Sequence, residues 1–300
     1  MKKKPKLIAI LGPTASGKSD LAVTLAQKFN GEVISADSRQ VYRGLDIGTG
    51  KITEREMKGV PHHLLDVASP KKIFSVAQYK RKADKTIADI VKRGKLPILC
   101  GGTGFYIQAV TEGLLLPDVK PNIALRKQLH TMSTAELFSV LAEKDSERAK
   151  AIDAQNPHRL IRAIEIAEAL GKVPTLHKET PYETLFIGIA IPPTDLKERI
   201  HTRLVKRLRA GMVGEAQKLH AQGLSWKRME ELGLEYRFLA RYLQKKLSKK
   251  EMLIELEKEI FAYAKRQMTW FKRNKTIHWI TPNENALPEL PLHVLKKFLG

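Results

Sequence analysis

Cysteine is nearly absent from this sequence: Cys100 stands alone in 300 residues. One thiol excludes an intramolecular disulfide and any cysteine-built metal site, and it suits a reducing compartment. Long apolar runs are missing as well. None approaches the roughly 18 residues that a membrane helix needs. The run that follows Met1-Lys2-Lys3-Lys4 ends at Leu11, too short for a secretory signal core. The chain is therefore expected to be soluble and cytoplasmic, with no membrane partner. Acidic residues are also in short supply, with 32 Asp and Glu against 53 Lys and Arg, a net charge of +21. The excess sits in the first and last hundred residues, and the middle hundred is close to neutral. If the two ends pack as one domain around an inserted middle, the positive field concentrates there and favours a polyanion larger than a nucleotide. A lysine-rich, solvated surface explains the same composition.

What the sequence does contain begins with Gly12-Pro13-Thr14-Ala15-Ser16-Gly17-Lys18-Ser19, a complete G-x-x-x-x-G-K-[ST] phosphate loop. It lies between the apolar run Leu7 to Leu11 and a helical pattern opening at Asp20-Leu21-Ala22, the setting in which such a loop works. The glycines let consecutive backbone N–H groups turn inward around an anion at a helix N-terminus. Lys18 then reaches the outer phosphate oxygens, and the Ser19 hydroxyl is placed to ligate Mg²⁺.

Apolar strand patterns alternate with helical periodicity through the first 110 or so residues, with strands read at Leu7–Leu11, Glu32–Ala36 and Leu96–Cys100. This rhythm predicts an α/β fold of the P-loop NTPase type, a parallel sheet flanked by helices with ligands at its carboxyl edge. Residues 1–116 form the first part of that core. The pattern turns helical over 117–183, read as an inserted domain. Leu185–Ile191, stopping at Pro192-Pro193, returns to the sheet. A capping signal at Thr194-Asp195 then opens a basic, largely helical region completing the core over 184–300, with a short strand at Thr276–Ile280. Asp37 closes the second strand, so its carboxylate is expected in the same crevice as Lys18, as a metal ligand or a proton acceptor. Gly101-Gly102-Thr103-Gly104 follows another strand and admits a backbone close to a ligand, with the Thr103 hydroxyl as a donor. Gly48-Thr49-Gly50-Lys51 reads as a simple turn. His62-His63 lacks a third ligand at usable spacing and reads as a packed or solvated pair.

Six blocks in order carry a resemblance: the phosphate loop, Asp37 to Thr49, Val60 to Asp66, Gly101 to Tyr106, Gln155 to Ala163 and Lys265 to Phe271. Together they resemble bacterial tRNA dimethylallyltransferases over nearly the whole chain, departing from the family pattern at Glu231 to Arg237. The resemblance implies transfer of a dimethylallyl group from dimethylallyl diphosphate to the exocyclic N6 amine of the adenosine 3′-adjacent to a tRNA anticodon, releasing diphosphate. It implies Mg²⁺ as cofactor and the anticodon stem-loop as partner; oligomeric state is open, with a monomer able to wrap an anticodon stem as the default expectation. Asp37 becomes the candidate base, with Lys18 and Thr103 beside it. Arg199 and Arg203, one helical turn apart, are candidates to clamp the donor with Gly12 to Ser19. Asp37, Ser38, Arg39, Gln40, Thr103, Arg126, Gln155, Asn156, Pro157, His158 and Arg159 become tRNA-contacting candidates. The competing reading is a small-molecule kinase using ATP at the same loop.

Overall fold

In the computed structural model, which describes residues 4–174, 180–281 and 292–300, the chain divides into two compact units. One comprises residues 1–113 and 180–300, the other residues 114–179. The first unit opens with β1 (Lys6–Leu11), α1 (Lys18–Lys28), β2 (Gly31–Ser35), α2 (Glu54–Met57), β3 (His62–His63), α3 (Val76–Lys92), β4 (Leu96–Gly101) and α4 (Gly104–Thr111). The second unit holds α5 (Ile123–Leu129), α6 (Thr134–Lys144), α7 (Ser146–Ala151) and α8 (Pro157–Leu170) around its own core of Leu129, Leu137, Leu141, Leu160, Ile161 and Ile164. The first unit then resumes with β5 (Glu183–Ile189), α9 (Pro193–Arg209), α10 (Met212–Ala221), α11 (Trp226–Leu232), α12 (Leu234–Leu243), α13 (Lys249–Phe271), β6 (His278–Ile280) and α14 (Leu292–Leu299).

Among the described residues six strands pair in the order β3-β2-β4-β1-β5-β6, every pair parallel. Strands buried on both faces read as continuous apolar runs, and here they divide residue by residue between two cores. Leu7, Ala9, Leu11, Ile34 and Leu99 pack on one side with α3, α4 and the helices after β5, while Ile8, Ile10, Val33, Ile98 and Ile187 face α1 and α14. β1 lies between β4 and β5, so the connection from β1 to β2 crosses β4, and the loops after β1, β2 and β4 open at one carboxyl edge.

The elements differ from the sequence expectation mainly at their ends. The second strand runs Gly31–Ser35 and the return strand Glu183–Ile189, stopping short of the prolines. Helix α9 begins at Pro193 with Pro192 as its cap; the Thr194 hydroxyl bonds Asp195 at 2.9 Å instead of capping the helix. His62-His63 is a two-residue edge strand, too short for periodicity to reveal.

Next to that edge, Glu32 is buried and held by four contacts: both terminal nitrogens of Arg93, Lys95 Nζ at 2.7 Å and His63 Nε2 at 2.7 Å. The Arg93 guanidinium above all keeps this carboxyl well below the usual carboxylate range, with Lys95 and His63 adding to the effect while burial opposes it. A carboxyl depressed in the folded state contributes stability that is present in full above about pH 4.5 and drains away as the pH falls below it. Glu32→Gln is expected to cost about 3 kcal/mol near neutral pH, since breaking one partner strands the others. In urea melts its difference from wild type should shrink as the pH is lowered from about 6 to about 3; a pH-independent difference contradicts this account.

A second expectation concerns β4. A Cβ on Gly101 would lie 2.2 Å from the Ala36 carbonyl oxygen, a backbone atom that cannot swing aside. Gly101→Ala should destabilise the fold by at least about 2 kcal/mol in the same melts.

Candidate active site

The loop after β1 wraps the start of α1. Ala15 and Gly17 take left-handed backbone angles, φ 62° and 86°, which turn successive amides toward one side as in an anion-binding nest. Gly17 caps α1 without a side-chain hydrogen bond, so the N–H groups of the first turn keep no partner within the helix. Lys18 Nζ donates to the Pro13 carbonyl at 3.2 Å. Burial holds this ammonium below the ordinary lysine range and Arg203 pushes the same way, while Cys100 and Asp37 oppose them. The Cys100 thiol, pushed up to about 12 by burial, donates to the Lys18 carbonyl at 3.5 Å and packs as a neutral wall.

The loop after β2 is an Asx turn. Asp37 Oδ1 accepts the Arg39 and Gln40 amides at 2.8 and 3.3 Å, and among the described residues Oδ2 accepts from none. The Ser38 amide donates to Thr103 Oγ1 at 3.0 Å, which ties this turn to the one after β4. The Gln40 side chain donates to the Gly50 carbonyl at 3.4 Å. Asp37, Ser38, Arg39, Gln40, Thr14, Lys18 and Ser19 all line one cavity of about 290 Å³. Helix α13 supplies its far wall with Tyr263, Arg266 and Gln267; burial, with Asp37 adding, pushes the Tyr263 phenol up to about 12.

A second cavity of about 630 Å³ shares Lys18, Ser19, Gly50 and Arg203 with the first and adds Arg199 from α9. Lys18 and Arg203 thus border both spaces, whereas Arg199 reaches only the second. Desolvation and neighbouring Arg207 lower the pKa of Arg203 while Glu235, Glu56 and Asp20 oppose them, so the shared wall sets cations beside carboxylates.

The segment 46–50, which contributes Thr49 and Gly50 to the wall, is held from behind. Glu215 accepts the amides of Asp46, Ile47 and Gly48 at 3.0, 2.7 and 2.9 Å and the Tyr236 hydroxyl at 2.7 Å. Arg207 Nη1 donates to the Gly48 carbonyl at 2.6 Å and to Glu235 at 3.0 Å. Gly233 (φ 74°) and Leu234 (φ 38°) join α11 to α12 in left-handed backbone, and Gly233, Leu234, Glu235 and Arg237 line the first cavity. The stretch that departs from the family pattern is therefore cavity wall.

Arg126 and Gln155 to Arg159 belong to the second unit. Arg126 Nε and Nη2 both donate to buried Glu165, at 2.7 and 2.6 Å, so its guanidinium is committed to the frame of that unit. Asn156 Oδ1 accepts the Arg159 amide at 3.2 Å and caps α8, with Pro157 in its first turn; Asp153 Oδ1 accepts the Gln155 amide at 3.2 Å. Among the described residues no group of three or more His, Cys, Asp or Glu side chains is arranged to hold a metal, and Ser19 and Asp37 line the same cavity. Sequence reasoning gave no role to Tyr263, Gln267, Glu215 or Glu235. The first two fall in or beside the Lys265 to Phe271 block that carried the resemblance, and the last two have no local signature.

A parallel sheet with a phosphate-loop motif, a carboxylate turn and a cavity bearing Lys18 and Arg203 at one edge defines a protein of the α/β class with its candidate site at the carboxyl ends of the strands. Comparison with known proteins narrows the class. Residues 40–274 match the IPP transferase family. The chain is 44% identical over 290 residues to tRNA dimethylallyltransferase 2 of Citrifermentans bemidjiense, covering 95% of this chain and 94% of that one. It is 39% identical over 300 residues to tRNA dimethylallyltransferase of Roseiflexus sp., covering 98% of both. Among solved structures, the tRNA isopentenylpyrophosphate transferase of Bacillus halodurans superposes with a TM-score of 0.73 at 36% identity over 99% of this chain and 95% of that one. A eukaryotic dimethylallyltransferase acting on tRNA gives 0.77 at 26% identity over 93% and 74%. The chain belongs to the IPP transferase family, and the kinase reading gives way.

Removing the Glu215 carboxylate should loosen the cavity wall from behind. Glu215→Ala is expected to speed hydrogen exchange of the Asp46, Ile47 and Gly48 amides and to cost about 2 kcal/mol. Unchanged exchange at those three amides contradicts the assignment.

Proposed function

We propose that this protein transfers a dimethylallyl group from dimethylallyl diphosphate to N6 of the adenosine 3′-adjacent to a tRNA anticodon and releases inorganic diphosphate. The observation that carries the reading is the convergence of the phosphate loop and the Asp37 turn on one cavity that also holds Arg203. A donor's diphosphate and an acceptor amine need that juxtaposition. The family membership supports it, as do relatives named tRNA dimethylallyltransferase.

In the proposed reaction the amine lone pair forms the N–C bond while the C–O bond to diphosphate breaks, and the amine proton passes to Asp37. An adenine amine is a weak nucleophile because its lone pair is delocalised, so a carboxylate with an uncommitted oxygen is the useful partner. Lys18, Arg203 and the free amides of the first turn of α1 take up the charge that grows on the leaving diphosphate, and Arg199 adds to the clamp. Diphosphate offers Lys18 a stronger acceptor than the Pro13 carbonyl. A bound Mg²⁺ would be held by the Ser19 hydroxyl and would supply charge neutralisation.

To enter the cavity the adenine leaves the anticodon-loop stack, and Ser38, Arg39, Gln40 and Thr103 are the groups assigned to hold it. Gln155 to Arg159 are assigned to the anticodon loop. We assign Arg126 to that same contact through the α8 frame it pins with Glu165. The basic surface of the first unit grips backbone phosphate, and the protein works as a cytoplasmic monomer.

Two substitutions test the roles. Lys18→Ala should reduce transfer by at least about 100-fold through the donor, and full activity contradicts the diphosphate site. Asp37→Ala should slow single-turnover transfer by about 100-fold or more with RNA affinity near wild type. A large loss of RNA affinity at an unchanged single-turnover rate makes Asp37 a binding residue instead.

A further inference from the structure

Gln267 projects from α13 into the carboxyl edge of the sheet, only 6% exposed. Its two amide ends are spent on different loops. Oε1 accepts the Thr14 amide of the phosphate loop at 2.9 Å, and Nε2 donates to the Gly102 carbonyl of the turn after β4 at 2.8 Å. Both bonds cross more than a hundred residues of sequence, and the two loops leave adjacent strands. The bridge has one polarity. Rotating the amide by half a turn would set its NH₂ against the Thr14 N–H and its oxygen against the Gly102 carbonyl, so the orientation is fixed by its partners.

The approach is also close. A Cβ on Gly102 would fall 2.2 Å from Nε2, which makes that glycine part of the same arrangement. Downstream of Gly102 stands Thr103, whose hydroxyl accepts the Ser38 amide beside Asp37. A chain of three hydrogen bonds, Thr14 to Gln267 to Gly102 and then Thr103 to Ser38, therefore joins the loop assigned to the donor to the turn assigned to the acceptor.

We propose that Gln267 is a positioning residue that sets the register between these two loops, so that the diphosphate and the attacking amine meet at the right separation. The proposal rests on the transferase reading above. A misplacement of the order of 1 Å between reacting groups can cost about 100-fold in rate, and a bridge between the two loops is where such an error would enter.

Three variants separate positioning from simple packing. Gln267→Glu keeps an acceptor for Thr14 and loses the donor to Gly102. Gln267→Met loses both at similar volume. Gly102→Ala pushes on the bridge from the opposite side. Transfer is read as a single-turnover rate constant on an unmodified anticodon stem-loop RNA at saturating substrate, which a reduced folded fraction does not change. Magnesium diphosphate binding is read by titration calorimetry.

Gln267→Glu is expected to bind diphosphate within about threefold of wild type while transferring at least about 30-fold more slowly. In Gln267→Met, diphosphate affinity should fall at least about tenfold as well, with RNA affinity within about twofold. Gly102→Ala should match Gln267→Glu, and combining the two should slow transfer no further than the worse single change, because both break one contact. Should Gln267→Met fail to fold, the other two carry the comparison. Lowered melting temperatures with unchanged rate constants and diphosphate affinity overturn the proposal and leave Gln267 a packing bracket. A wild-type chain that binds diphosphate but transfers nothing contradicts the functional reading instead, and the calorimetric comparison of Gln267→Met with wild type then decides the Gln267 assignment alone.

Discussion

The close backbone approach between β2 and β4 at their carboxyl ends governs what the rest of the site can be. Gly101 has room for no side chain against Ala36, and the Ala36 amide and carbonyl are both spent on this neighbour, bonding the Cys100 carbonyl at 2.8 Å and the Thr103 amide at 3.1 Å. That contact fixes how far apart the Asp37 turn and the Thr103 turn can lie. With β1 on the other side of β4, it places the phosphate loop beside both. Backbone packed to this tolerance tolerates no extra methyl group, so the separation of the phosphate loop and the Asp37 turn is a property of the sheet itself, refined by side chains.

Electrostatics builds on that geometry. The wall shared by the two cavities holds Lys18 and Arg203, both depressed by burial, and Arg207 close by. Cations crowded on one wall repel one another, and an anionic ligand placed among them relieves that repulsion. Asp20, Glu56, Asp195 and Glu198 border the second cavity, while other carboxylates nearby are partly spent elsewhere. Glu215 is consumed by three amides and a tyrosine, Glu235 by Arg207, and Asp37 offers one oxygen after its Asx turn.

Much of the frame was legible from the chain because its causes are local. β1, β2, β4 and β5 are apolar runs buried on both faces, the phosphate loop is a contiguous motif, and Asp37 and Thr103 follow strands directly. Boundaries moved by a residue or two where a proline or a polar residue changed partners, as when Thr194 bonded Asp195 and left Pro192 to cap α9. β3 was hidden because two residues carry no period. The unread parts of the site share one property: their partners are remote in sequence. Glu215 looks like any surface glutamate of an amphipathic helix until segment 46–48 packs on it. Gln267 looks like a polar residue in a basic helix until β1 and β4 bring Thr14 and Gly102 to its two ends. A buried polar side chain has to be satisfied, but sequence alone does not say by whom.

The central claim is that the phosphate loop holds the diphosphate of a prenyl donor and directs its carbon chain to an adenine amine. Its most direct measurement incubates the wild-type protein and Mg²⁺ with unmodified tRNA and either dimethylallyl diphosphate or ATP, then weighs the digested nucleosides by mass spectrometry. The account predicts an adenosine heavier by one dimethylallyl unit with the diphosphate donor and unmodified adenosine with ATP. Unmodified adenosine in both reactions across a panel of tRNAs, with ATP consumed in the presence of a small metabolite, would contradict it.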